Sequence, residues 1–90
     1  MSEGKIVVPV TIEQHQEGGY LAVCEEIQGC HAAGDTIQEA VQNIEEVAEM
    51  MWELCTEKHL PMPPLLAGYR PGISIEARIV NSEQASPTNG

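Results

Sequence analysis

Residues 34–59 read GDTIQEAVQNIEEVAEMMWELCTEKH, and the fold follows from how that stretch must behave. Ile37, Ala40, Val41, Ile44, Val47, Ala48, Met51, Leu54 and Cys55 recur at steps of three and four, the spacing that lines up side chains on one side of an α-helix. Glu45, Glu46, Glu49, Glu53 and Glu57 take the opposite side. Thr36 with Glu39 three residues later fits a capping box: the hydroxyl accepts from the Glu39 N–H, and the carboxylate returns to the N–H of Thr36. Lys58 and His59 stand at the C-terminal end, where the helix dipole favours cations, and Pro61, Pro63 and Pro64 stop continuation. About 22 residues at a rise of 1.5 Å predict a helix of roughly 33 Å.

Strands flank this helix. In residues 5–13, Ile6, Val8, Val10 and Ile12 alternate with Lys5, Val7, Pro9 and Thr11, a two-residue period rich in β-branched side chains. Pro9 conflicts with that reading, since proline donates nothing to a ladder. Gly18-Gly19 closes a polar hairpin loop, where glycine tolerates positive φ. Residues 20–25 form a second strand, with Leu21 and Val23 on one face and Tyr20, Ala22 and Cys24 on the other. A short third strand covers 30–33 and ends at Gly34. Beyond the helix, a proline-rich return over 60–71 leads to a last strand over 72–80. There Ile73, Ile75, Ala77 and Ile79 face one way, and Ser74, Glu76 and Arg78 the other. Residues 81–90 are polar and read as a disordered tail. One domain over 5–80 is expected, of β-β-β-α-β order. A lone amphipathic helix covers one face of a sheet, so the second face is left for a partner or another subunit.

Composition narrows the function. Fourteen acidic residues against four basic ones give a net charge of −10. Such a field repels nucleic acid and anionic membranes. It either speeds encounter with a basic protein or simply keeps the chain soluble. Three cysteines at irregular spacing, no N-terminal apolar segment and no apolar run of membrane-spanning length predict a reduced, cytoplasmic protein. With no Phe, one Trp and two Tyr, the core must be built from small aliphatic side chains, and self-association would relieve the marginal stability of so small a domain.

One set of spacings is more specific. Gly18-Gly19-Tyr20-Leu21-Ala22, then Gly29-Cys30, then Gly34-Asp35-Thr36 with Glu39-Ala40, and Asn43 one turn later, resemble the HicB-like antitoxin family over about residues 5–80. The resemblance implies an α+β, partial ribonuclease-H-like domain without an active site. One long helix would pack on one face of a mixed four-stranded sheet, whose first strand pairs with the second and, in parallel, with the last. Pro9 would then lie on a central strand. It also implies a non-catalytic module that neutralises a small, basic, mRNA-cleaving HicA-like toxin by masking its active site, and that forms a homodimer or higher homo-oligomer. An orphan homo-oligomeric scaffold or regulator of the same fold is the alternative. In this reading Gly29, Cys30, Gly34, Asp35, Thr36, Glu39 and Ala40 are structural motif residues. The sequence departs from the family pattern at Glu25-Glu26-Ile27-Gln28, which holds no proline, and in showing no DNA-binding appendage after the last strand. Direct operator binding is therefore not expected.

Other chemistry is less well served. A metal-dependent nuclease needs converging carboxylates, and the candidates Glu13, Glu25, Glu26 and Glu76 are scattered over strands and a loop. Cys55 and His59, four apart on the helix, could with Cys24 hold zinc, but Cys55 falls on the apolar stripe, where a free thiol packs. The Gly34-Asp35-Thr36 helix start could bind an anion, but Asp35 would repel it and capping explains the residues. No cofactor, metal or catalytic residue is expected. Trp52 reads either as a packing residue or as a partner anchor, and Glu25, Glu26, Trp52 and Glu76 are the candidate partner contacts.

Overall fold

The computed structural model describes residues 4–80, so the tail read at 81–90 lies outside the described residues. Strands β1 (Lys5–Gln14), β2 (Tyr20–Val23) and β3 (His31–Gly34) precede helix α1 (Ile37–Lys58). A 3-10 helix at Pro64–Leu66 and strand β4 (Ser74–Ile79) follow it. The four strands form one mixed sheet in the order β3-β2-β1-β4. β1 is antiparallel to β2 and parallel to β4, and β2 is antiparallel to β3. The expected α+β arrangement, one long helix on one face of a mixed four-stranded sheet, is the one observed.

Pro9 lies on a central strand without costing the ladder a bond. The Val80 N–H donates to the Val10 carbonyl at 2.9 Å, so even-numbered β1 amides point toward β4 and odd-numbered ones toward β2. Pro9 is odd, and the β2 ladder begins only at Thr11, opposite Val23. The missing donor would have pointed past the end of β2.

Alternation decides which side of the sheet the helix covers. Val8, Val10 and Ile12 from β1 and Ala22 from β2 are at most 2% exposed. They meet Ala40, Ile44 and Ala48, which recur every four residues and are the buried residues of the helix. Small residues above and below Ile44 let the helix backbone come close to the sheet, and Ile44 fills the space between. Cys24, Ile27 and Cys30 close one flank of this core, and Leu66 from the 3-10 turn closes another. The return segment is thus more than a connection: Pro64 stands in the first turn of the 3-10 helix, where its missing N–H is harmless, and Leu66 and Tyr69 are drawn inside.

Element ends differ from the expectation where turns intervene. β2 stops at Val23 because the chain folds back, with Ile27 N–H donating to the Cys24 carbonyl. β3 accordingly starts one residue later than expected, at His31. β4 starts at Ser74 because a turn at Pro71-Gly72, with Gly72 at φ 108°, occupies the residues before it.

Candidate protein-binding surfaces

The helix entry is built from the motif residues. The Glu39 N–H donates to Thr36 Oγ1 at 3.0 Å, as the capping box requires. The returning carboxylate differs from the expectation: Glu39 Oε1 accepts from the N–H of Asp35 at 2.8 Å, one residue before the cap. Gly34 accounts for this shift. A Cβ there would fall on the Ala40 backbone nitrogen and 2.7 Å from Glu39 Cβ, so the bare glycine lets the chain cross directly over the first helical turn and brings Asp35 above Glu39. Ala40 beneath it is fully buried. Gly29 takes φ 82° in the turn before β3, and Cys30 is 1% exposed in the core.

The helix then ties down both margins of the sheet. Asn43 Nδ2 donates to the Ala33 carbonyl on β3 at 2.8 Å. Glu45 Oε2 accepts the Ala77 N–H on β4, also at 2.8 Å. β3 and β4 are the outer strands, and exposed outer strands invite pairing with other chains. Two helix side chains, two residues apart, take up one polar backbone group on each.

Beside β4 the helix forms an acidic groove. A cavity of about 440 Å³ lies between Glu45, Glu46 and Glu49 on the helix and Ile73–Ile75 on the strand side. A second, of about 500 Å³, continues it past Trp52 and Glu53, and Tyr69 and Glu49 line both. The Trp52 and Tyr69 rings meet edge to face, with centroids 5.0 Å apart and planes at 75°. The Tyr69 hydroxyl donates to Glu49 Oε2 at 3.3 Å. Burial first, and then the neighbouring Glu49 carboxylate, hold the Tyr69 phenol above its ordinary pKa. The groove thus places carboxylates beside two aromatic rings, a setting that suits a guanidinium or ammonium group.

The opposite sheet face is chemically different. Val7, Pro9 and Thr11 from β1, Leu21 and Val23 from β2 and Ala33 from β3 share it by register, and no described element covers it. Lys5 and Arg78, two of the four basic residues of the chain, stand on this face with Glu13 and Glu76. Lys5 Nζ pairs with Glu76 Oε1 at 2.6 Å. That hydrogen bond and the ammonium charge hold the Glu76 carboxyl below its ordinary pKa. The face is nearly neutral in a strongly acidic chain.

The candidate partner contacts are therefore not one patch. Glu25 and Glu26 are exposed in the β2–β3 turn, Trp52 lines the groove and Glu76 belongs to the open face. The carboxylates considered for nuclease chemistry do not converge: Glu76 lies opposite Val7, and Glu13 is six residues further along β1, roughly 20 Å at the rise of a strand. Cys24 is in the core, while the Cys55 thiol donates to the Pro61 carbonyl at 3.6 Å and His59 adopts the left-handed helix-end conformation. Among the described residues no group of three or more His, Cys, Asp or Glu is placed to hold a metal ion. None of their helices is long and apolar enough to cross a membrane. Glu45 and Tyr69 escaped sequence reasoning. A lone tyrosine in a proline-rich connection was a signal for Tyr69, whereas Glu45 looks like any solvated glutamate until the outer strand is known.

The family profile described as "HicB_like antitoxin of bacterial toxin-antitoxin system" matches residues 8–70, which takes in most of β1, the motif residues, the helix and nearly all of the return segment. The chain belongs to the HicB-like antitoxin family. The UPF0150 protein ssr1765 of Synechocystis sp. is 44% identical over 54 residues, which are 60% of this chain and 68% of that protein. The UPF0150 proteins ssr1258 and ssl0738 of the same organism are 39% and 37% identical. These matches cover 49% and 54% of this chain, and 64% and 68% of the respective relatives. No solved structure matches the chain. For a HicB-like antitoxin, a role in a toxin–antitoxin system follows from the family.

Proposed function

We propose that this HicB-like chain is a non-catalytic binding module that acts in the cytoplasm, neutralising a small, basic, mRNA-cleaving toxin of the HicA type by covering its active site. The observation that carries the reading is the groove in which Glu45, Glu46, Glu49 and Glu53 stand beside the Trp52–Tyr69 pair. Lys and Arg of a basic partner would find charge there, and the paired Trp52 and Tyr69 rings would give their aliphatic stems an apolar wall to pack on. Glu25 and Glu26 would add to the attraction from the β2–β3 turn. The reading predicts that a gene beside this one encodes a small basic protein, and the test is co-expression of the two. A complex whose affinity falls as salt rises from 0.05 to 0.5 M supports the reading, because charge contacts at the rim are screened on a scale of about 10 Å at 0.1 M. Failure to co-purify at low salt contradicts it.

The open sheet face favours a second contact, with another copy of the chain. Its half-exposed Val7, Leu21 and Val23 and its balanced charges let two copies approach without the repulsion that the glutamate-rich helix would create. Self-association would serve the antitoxin as a homodimer or higher oligomer, and would be the main activity if the chain is an orphan scaffold. Light scattering distinguishes the contacts: apolar self-association persists at 0.5 M salt, and a monomer at micromolar concentration in all salts rejects it.

A further inference from the structure

Cys24 and Cys30 occupy opposed positions at the end of the β2–β3 ladder. The register pairs Ala22 with Ala32 and Val23 with His31, and one step further brings Cys24 opposite Cys30. The Cys24 N–H donates to the Cys30 carbonyl at 2.9 Å, while the Cys30 N–H turns to the Ile27 carbonyl, so a single backbone bond holds this pair together just past the end of the ladder. Directly opposed residues put their side chains on the same face of a sheet. Here it is the helix-covered face, where both cysteines are 1% exposed. Opposed Cα atoms in antiparallel strands lie about 4.5–5.5 Å apart, within the roughly 4.4–6.8 Å that a disulfide bridges. Both thiols are free in the structure.

We infer that Cys24 and Cys30 are a dithiol that a hydroperoxide converts into an intramolecular disulfide, making the base of the β2–β3 turn a redox-modification site. The chemistry balances within the pair. One thiolate attacks the O–O bond of the peroxide, becomes a sulfenic acid and releases hydroxide, which is protonated to water. The second thiol attacks the sulfenic sulfur, forms the S–S bond, and the sulfenic oxygen leaves as water. Two thiols lose two electrons and two protons, and hydrogen peroxide becomes two waters.

The surroundings explain how the site is gated. Burial, and then the neighbouring Cys24, push the Cys30 thiol up to about 11, so little thiolate is present at neutral pH while the turn is closed. The turn is held by Ile27 N–H to the Cys24 carbonyl at 3.2 Å and by Cys30 N–H to the Ile27 carbonyl at 3.0 Å, with the Ile27 side chain 1% exposed. Oxidation therefore proceeds through local opening of this turn, and the product locks it shut. Glu25 and Glu26 ride on the stapled segment, so oxidation stiffens two of the acidic side chains that the chain presents to solvent. Cys55 stands apart on the last helical turn, its thiol on the Pro61 carbonyl.

The test uses the full chain with Cys55→Ser, which leaves the two cysteines of the pair. After hydrogen peroxide under native conditions, denaturation and alkylation, mass spectrometry is expected to show a loss of about 2 Da with neither thiol alkylated. Proteolysis after Glu25 or Glu26 should leave the residue 24 and 30 peptides joined until dithiothreitol is added. Hydrogen exchange at residues 25–29 should slow in the oxidised form. In the Cys24→Ala, Cys55→Ser variant, Cys30 should gain oxygen or stay reduced and form no internal bond. Two alkylatable thiols after peroxide, added oxygen without the cross-link, or cross-linking only between molecules would overturn the inference. So would a disulfide that forms in urea and never in the folded chain.

Discussion

The two faces of the sheet have similar strands and opposite fates. On the covered face Val8, Val10, Ile12 and Ala22 are saturated by Ala40, Ile44 and Ala48. On the open face Val7, Leu21 and Val23 have comparable side chains and no described cover. Periodicity made both faces apolar, and the single helix could seal only one. Charge then separates their uses, because the helix that seals one face carries Glu45, Glu46, Glu49 and Glu53 on its outer flank, while the open face balances Lys5 and Arg78 against Glu13 and Glu76. Asn43 on Ala33 and Glu45 on Ala77 each take up one backbone group on an outer strand.

The comparison is broken most severely at Ile44. Ile44→Ala leaves a cavity between helix and sheet, and urea denaturation should show a loss of about 2–5 kcal/mol. Val23→Ala on the open face removes a similar aliphatic group. At concentrations where the chain is monomeric it should cost no more than about 0.5 kcal/mol, and it should weaken self-association instead. Equal losses for the two would mean that the open face is covered within the monomer. A smaller effect tests the start of the helix: Thr36→Ala removes the acceptor for the Glu39 N–H and should lower stability by about 1 kcal/mol, read as a shift in thermal midpoint.

The smallest effect belongs to the Lys5–Glu76 pair on the open face. Lys5 holds the Glu76 carboxyl below its ordinary pKa, so the folded state binds its proton less tightly than the unfolded chain does. The contribution is present above the unfolded pKa and is lost as pH falls through the lowered folded value. Glu76→Gln should therefore be slightly less stable than the parent at neutral pH, and the two melting curves should converge in acid. A difference that grows on acidification contradicts the pairing.

How much of this was legible follows from how local each feature is. The helix and its Thr36 cap are written within a few neighbouring residues, and the structure places them at Ile37–Lys58 and Thr36. The return carboxylate was displaced to Asp35 because Gly34 lets the chain pass close over Glu39, a detail of path that side-chain spacing does not encode. Strand order came from resemblance, and Pro9 remained a conflict until the Val80–Val10 bond fixed which way its amide would point. Of the surfaces, the open face was foreseen from the count of helices. The groove was not, since it joins residues 45–53 with Tyr69 and Ile73, and that meeting depends on β4 returning beside β1 under the far flank of the helix.

The most direct test of the account is the affinity of this HicB-like chain for a small basic toxin of the HicA type, measured by calorimetry between 0.05 and 0.5 M salt for three forms. Relative to the unaltered chain, Glu49→Lys with Glu53→Lys should weaken binding at least about tenfold, or about 1.4 kcal/mol, and flatten its salt dependence. Val23→Asp should leave toxin binding unchanged while abolishing self-association. Full affinity in the groove variant, with binding lost in Val23→Asp, would contradict the assignment of the two surfaces.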